Sequence, residues 1–171
     1  MNALNFANYI IWYVNQKFPN TSFTHVKLQK ILYYIYCDFL KKGIPLFEDK
    51  IEKWQYGPVV PSVYNSFRSY GFNRISTPET SVRLINDENG FRFERDDFNP
   101  NILNLSTEQR DRLDFIIQNL VEKEAFELVN LTHKEKSWIR AEPNIKKGEK
   151  NIVYSEEELR LESTDIEELI G

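Results

Sequence analysis

The sequence predicts a mainly α-helical, α+β fold: a single compact helical domain with a short β-hairpin and an acidic C-terminal helical tail. Three observations predict it. Apolar residues recur at helical spacing through most of the chain. Only between residues 81 and 98 does the apolar period drop to two. With 171 residues, 41% of them hydrophobic and 14% aromatic, the chain can bury one sizeable core but not two ordinary ones. The body is expected to span residues 1–154 and the tail residues 155–171.

Residues 5–18 set Phe6, Tyr9, Ile10, Tyr13 and Val14 on one helical face and stop before Pro19, which cannot continue a helix. Ile11 and Trp12 add a second apolar side, as in a helix packed between two neighbours. Thr24 is a fitting N-cap for a longer helix ending near Gly43. Leu28, Ile31, Leu32, Ile35 and Phe39 fill its core stripe, so Tyr33, Tyr34 and Tyr36 must cover another element or an interface. Lys41 and Lys42 complement the dipole at its end. Residues 44–53 read as a connector, and Trp54, Tyr56 and Val59 as a short extended piece around Gly57-Pro58. A helix then starts at Pro61, a residue favoured at the first helical position, and runs to about Tyr70.

Val82, Leu84, Phe91 and Phe93 alternate with polar residues across Asn86-Asp87-Glu88-Asn89-Gly90. That is a hairpin signal in which Asn89-Gly90 supplies positive φ angles. Ser106 and Gln109 predict a capping box ahead of Leu113, Ile116, Ile117 and Leu120. Another helix is expected over residues 123–129, and Thr132 with Glu135 predicts a second capping box before Trp138 and Ile139. Residues 142–150, with Pro143, Gly148 and several lysines, read as a loop.

Ser155 with Glu158, and Thr164 with Glu167, mark two last helix starts. Leu159, Leu161, Ile166, Leu169 and Ile170 form a thin apolar stripe there, on a segment too short to be helical alone. It must dock on the body or on a partner. Seven acids against Arg160 give residues 155–171 a charge of −6, and the chain's −4 leaves +2 for the body. A near-neutral body without clustered Lys and Arg argues against nucleic acid as the main ligand. The tail's charge run suits a solvated face or an insert that offers carboxylates to a basic site on a partner.

Other chemistries find little support. His25, His133 and Cys37 lack the paired spacings of metal sites, and no glycine-rich phosphate loop is present. No cofactor is expected. Cys37 sits in a helical apolar pattern without a nearby base and reads as a small buried hydrophobe. His133 has two readings: a general base or anion ligand in the first turn of a helix, and a helix-start residue bonded to a carbonyl. Residues 1–19 show no basic n-region or cleavage site, and no run reaches 18 apolar residues. No signal peptide, no membrane span and a cytoplasmic location are therefore expected.

Five segments, in order, carry a family resemblance: A-x-x-I-I-x-Y at residues 7–13, KLQKILYY at 27–34, G-I-P-L-F at 43–47, W-x-Y-G-P-V-V-P-x-V-Y at 54–64 and L-x-x-L-T-H-K-E-x-x-W at 128–138. With them the chain resembles the Panacea domain, the SocA-like antitoxin domain of bacterial toxin–antitoxin pairs and phage-associated proteins. The resemblance implies a mostly helical antitoxin, not an enzyme, that neutralises a co-encoded toxin such as a translation inhibitor by direct contact. A SocA-like relative instead hands its toxin to a cellular protease, which leaves an adaptor role as an alternative. An enzyme that uses His133 and Glu135 to reverse the toxin's modification is a second one. Longer members add a DNA-binding region that this chain does not match, so no direct DNA binding is expected.

The matched Trp54, Tyr56, Gly57, Pro58, Tyr64, His133 and Trp138 are expected to maintain the shared scaffold. Toxin contacts are expected at the hairpin of residues 81–98, at Tyr33, Tyr34 and Tyr36, and in the tail at Glu156, Glu157, Leu159, Leu161, Glu162, Ile166 and Leu169.

Overall fold

A computed structural model describes residues 1–80 and 82–171; Ser81, the first residue of the expected hairpin segment, lies outside the described residues. Helices α1 (Ala3–Lys17) and α2 (His25–Lys41) open the chain. They are followed by strands β1 (Glu52–Trp54) and β2 (Gly57–Val59), helix α3 (Pro61–Phe67) and strands β3 (Val82–Asp87) and β4 (Gly90–Arg95). Helices α4 (Thr107–Val121), α5 (Ala125–Thr132), α6 (Lys136–Lys146), α7 (Glu156–Leu161) and α8 (Ile166–Ile170) complete it. The fold is mainly helical, with two separate antiparallel two-stranded sheets.

The centre is α2. Of its 17 residues 13 are buried, because α1, α3, α4, α5, α7 and β2 all pack around it. Thr24 caps it as its sequence suggests, accepting a hydrogen bond from the Lys27 amide. Its polar side chains are used inward. Lys27 Nζ donates to the Val121 carbonyl at 3.0 Å, and Lys30 Nζ donates to the Pro58 carbonyl at 2.9 Å. Gln29 accepts from the Val60 amide at 2.8 Å. A helix with buried apolar residues on every side can lie at the centre only if its polar groups find such partners.

Ser106 and Gln109 form the expected capping box of α4, and Ser155 and Glu158 that of α7. The expected box at Thr132 and Glu135 is not formed. Thr132 ends α5, where its hydroxyl donates to the Val129 carbonyl, and Glu135 precedes α6 without capping it because its carboxylate is drawn into the core. His133 is therefore the C-cap of α5, not a residue in the first turn of a helix.

The expected loop at 142–150 is largely helix. Helix α6 runs through Pro143 to Lys146. Proline removes one i→i−4 hydrogen bond there, freeing the carbonyl of Ile139 on an exposed part of the helix, where water can replace it. The start expected at Thr164 falls on Asp165, since the amide and hydroxyl of Thr164 both bond Glu135.

The C-terminal segment joins the body. Its approach is a short backbone pairing, with the Lys53 amide on the Ile152 carbonyl at 2.7 Å and the Tyr154 amide on the Ile51 carbonyl at 2.9 Å. Leu159, Ile166 and Leu169 then enter the main core. No helix of the described residues is long and apolar enough to cross a membrane.

Candidate functional site

The motif residues meet at one junction, formed by the β1–β2 turn, the α5–α6 corner and the first half of α2. Gly57 has φ +88°, and a Cβ built on it would lie 2.4 Å from the Thr132 hydroxyl and 3.1 Å from Lys30 Cε. Glycine is needed there twice over, for its backbone angle and for its lack of a side chain. The next carbonyl, that of Pro58, receives the buried Lys30 ammonium. Burial lowers Lys30 to about 7, because the ammonium gives up water for a carbonyl and not for a carboxylate.

Aromatic rings close the other side. Trp138 Nε1 donates to the Trp54 carbonyl at 3.0 Å, and the Trp54 ring meets Tyr64 edge-on at 4.9 Å. The His133 ring stacks on Trp138 with centroids 3.7 Å apart and planes 15° apart. Burial, then the nearby Lys30 charge, lowers the His133 pKa, while a hydrogen bond with the Gln55 backbone pulls the other way. Gln55, Tyr56, His133, Trp138, Glu142, Ile145 and Lys146 line a cavity of 390 Å³ beside this stack. Tyr56 stands exposed at the rim, edge-on to Phe126 at 5.8 Å.

Glu135 faces away from this cavity. Its Oε2 accepts from the Tyr33 hydroxyl at 2.6 Å, and its Oε1 accepts from the amide and hydroxyl of Thr164 at 3.0 and 3.1 Å. Burial raises its pKa against those bonds. His133 and Glu135 thus serve different surroundings, and the pairing that acid–base catalysis would need is not built. Cys37 is buried and its thiol is pushed up to about 12 by burial, which keeps it protonated and inert. Among the described residues no cluster of His, Cys, Asp or Glu is placed to hold a metal ion.

The residues expected to contact a toxin fall into two groups. Tyr33 and Tyr34 are buried, with Tyr33 packed on Tyr154, so a partner could reach them only by displacing the C-terminal segment. Tyr36 is half-buried against Phe47 at 4.4 Å. In the tail Leu159, Ile166 and Leu169 are buried, whereas Glu156, Glu157 and Leu161 are exposed and Glu162 is half-buried.

Four of the tail's seven acids are held by body cations. Glu158 bonds Lys53 at 2.7 Å, Glu162 bonds Arg140 at 2.7 Å, Glu167 bonds Arg112 at 2.7 Å, and Asp165 pairs with Lys41. Burial, the largest single influence, would raise the Glu158 carboxyl, but the hydrogen bond and charge of Lys53, the Ser155 amide and Arg140 together outweigh it and hold the pKa below its usual value. Sequence reasoning missed these cations. Lys53, Arg112 and Arg140 each look like ordinary surface charges, and only the fold brings them under the tail.

The geometry agrees with the comparisons to known proteins. Residues 28–139 match the family described as Antitoxin SocA-like, Panacea domain. Antitoxin SocA of Caulobacter vibrioides (strain NA1000 / CB15N) is 43% identical over 49 residues, which are 28% of this chain and 26% of that protein. The chain thus spans about a quarter of that relative's length. No solved structure matches it.

Proposed function

This chain belongs to the SocA-like antitoxins of the Panacea domain, and we propose that it neutralises a co-encoded protein toxin by binding it and covering its active site. The family match over 28–139, which takes in the whole Gly57–Thr132–Trp138 junction, is the observation that carries the reading. In this reading the junction is scaffold. Lys30 and the Trp138 indole are bonded inside it, although His133 Nε2 is buried without a hydrogen-bond partner, and Tyr56 is the large ring it exposes at the cavity rim. The body of residues 1–154 supports the binding surface, and residues 155–171 brace α2.

The test is co-expression in a bacterial host. The open reading frame next to this gene should arrest growth alone, and this chain should restore growth and co-purify with its product. A harmless neighbour sinks the reading. Rescue that leaves no complex and vanishes in a protease-deficient host would replace occlusion with delivery to a protease.

A further inference from the structure

The β3–β4 hairpin has one apolar face, and among the described residues nothing covers it. Register pairs Leu84 with Phe93, Asn86 with Phe91 and Val82 with Arg95. Side chains alternate along a strand, so Val82, Leu84, Phe91 and Phe93 share one side. Their exposures are 56%, 57%, 74% and 79%. The opposite side is polar apart from the half-buried Ile85, with Arg92 bonded to Asp87 at 2.8 Å and Arg83 paired with Asp96. The other strongly exposed rings and leucines, such as Phe72, Phe115 and Leu161, lie on separate elements. Among the described residues only the hairpin gathers four exposed apolar side chains in one sheet face.

We propose that this face is the toxin-contacting surface, a projecting ridge that seats its two phenylalanines in an apolar cleft of the toxin. This rests on the antitoxin reading above. The choice of occupant follows from area. Two rings and two aliphatic side chains at these exposures present about 450 Å², near the upper end of patches found on monomers. Two copies meeting face to face would bury about 900 Å² in total, below the ~1,200 Å² at which stable interfaces begin. The hairpin face alone is thus too small to hold two copies together, and the occupant is the toxin that the antitoxin reading supplies, which reaches the required area by also touching the surface beside the hairpin. The chain just past β4 carries further apolar residues, with Phe98 packed on Trp12 and Ile102 half exposed.

The partner's chemistry follows from the hairpin's own. Its cleft is apolar, and a carboxylate at its rim meets Arg95, the one charge in the apolar row. Each strand has one edge without a ladder partner, because the sheet has two strands, so a toxin strand can add there by backbone pairing. A lone hairpin is marginal in water. Docking supplies the packing it lacks, so its amides should exchange more slowly in the complex.

The experiment uses the full chain and the purified product of the neighbouring gene. The double variant Phe91→Ser, Phe93→Ser should keep its circular dichroism and melting temperature and lose at least ~100-fold in affinity, with neutralisation falling in step. Wild-type amides of residues 82–95 should gain exchange protection on binding. Leu84→Lys repeats the test if the double variant loses its fold. An affinity within ~3-fold of wild type, or unchanged hairpin exchange, overturns the assignment while leaving the antitoxin reading intact. So does a wild-type dimer that the double variant turns into a monomer. A wild-type chain that neither binds nor neutralises the neighbour overturns both.

Discussion

The molecule contains two β-hairpins built on opposite principles. The β1–β2 pair has three residues per strand, yet Gly57, Pro58 and Val59 are all buried. It is held from outside, by Lys30 of α2, by Trp138 of α6 and by the backbone at Ile152. The β3–β4 pair has six residues per strand and a full ladder, yet every residue of β4 is exposed. Among the described residues its hydrogen bonds and ion pairs stay within the hairpin or reach Asp96 just past β4. Strand length and alternation therefore decide whether a hairpin forms, while anchoring depends on polar groups from distant parts of the chain. The dense motif marks a clamp, and the regular, exposed pattern marks a surface free to meet a partner.

The sharpest way to break that contrast is the same substitution in both hairpins. Gly57→Ala forces a Cβ to within 2.4 Å of the buried Thr132 hydroxyl at φ +88°. It should cost about 3 kcal/mol or more in urea unfolding, since neither the backbone nor the α5–α6 corner can yield cheaply. Gly90→Ala meets nothing within 4 Å at φ +101°. Its cost of about 1 kcal/mol should fall on the hairpin and leave the global midpoint in place. Equal effects on the midpoint would show that the two hairpins are not anchored differently.

Next in size is the clamp's far end. Glu135→Ala leaves the Tyr33 hydroxyl and the Thr164 amide without their carboxylate partner in a mostly buried place. A loss of about 2–3 kcal/mol is expected, with amide exchange rising first in α8. Glu135→Gln, which keeps an acceptor oxygen, should recover part of it. A uniform rise in exchange over the whole chain would show that the tail is not separately held by this residue.

These cases also mark where the sequence was legible. The caps at Thr24, Ser106 and Ser155 are local, with donor and acceptor within three residues, so pattern and structure agree. Thr132 and Glu135 carry the same local pattern, but Tyr33, 102 residues away in sequence, takes the carboxylate instead. The hairpin turn is half legible. Gly90 has the expected positive φ, but Asn89 does not, and its amide instead bonds Asp87 at 2.9 Å. With one helical face filled, Tyr33 and Tyr34 have to cover another element or an interface, and burial shows the former, but nothing local announces that Glu135 and Tyr154 are what close over Tyr33. The hairpin's apolar face was legible as alternation, but its lack of cover was not, since alternation alone does not say whether a core lies beneath.

Lys30 offers a smaller effect, read by pH. Its folded pKa is about 7, against about 10.4 for a free lysine. Between these values the unfolded chain holds a proton that the folded chain has released, so stability rises with pH from about 7 upward. Below 7 both states are protonated and this contribution is flat. Near pH 10 the buried Tyr33, Tyr34 and Tyr154, whose pKa values burial raises, begin to oppose it, because the unfolded chain then loses protons that the fold retains. Denaturant midpoints measured from pH 7 to 9 should climb by the equivalent of about 1–2 kcal/mol. Lys30→Met should remove the slope, and a slope that persists in it would place the titrating group elsewhere.

The smallest effect belongs to the other hairpin, and it is the strictest test of the contrast. Replacing residues 82–95 by a short Gly-Ser linker removes the exposed face and ladder but touches none of the groups that hold the core. Shortening a surface connection changes loop-closure entropy by only about 0.5 kcal/mol. The body should therefore unfold at nearly the wild-type urea midpoint, with a slope lowered only slightly because little buried surface is removed. A midpoint lower by 2 kcal/mol or more would mean that the hairpin braces the body after all. It would then be a structural element, and its exposed phenylalanines could not be treated as a separable surface.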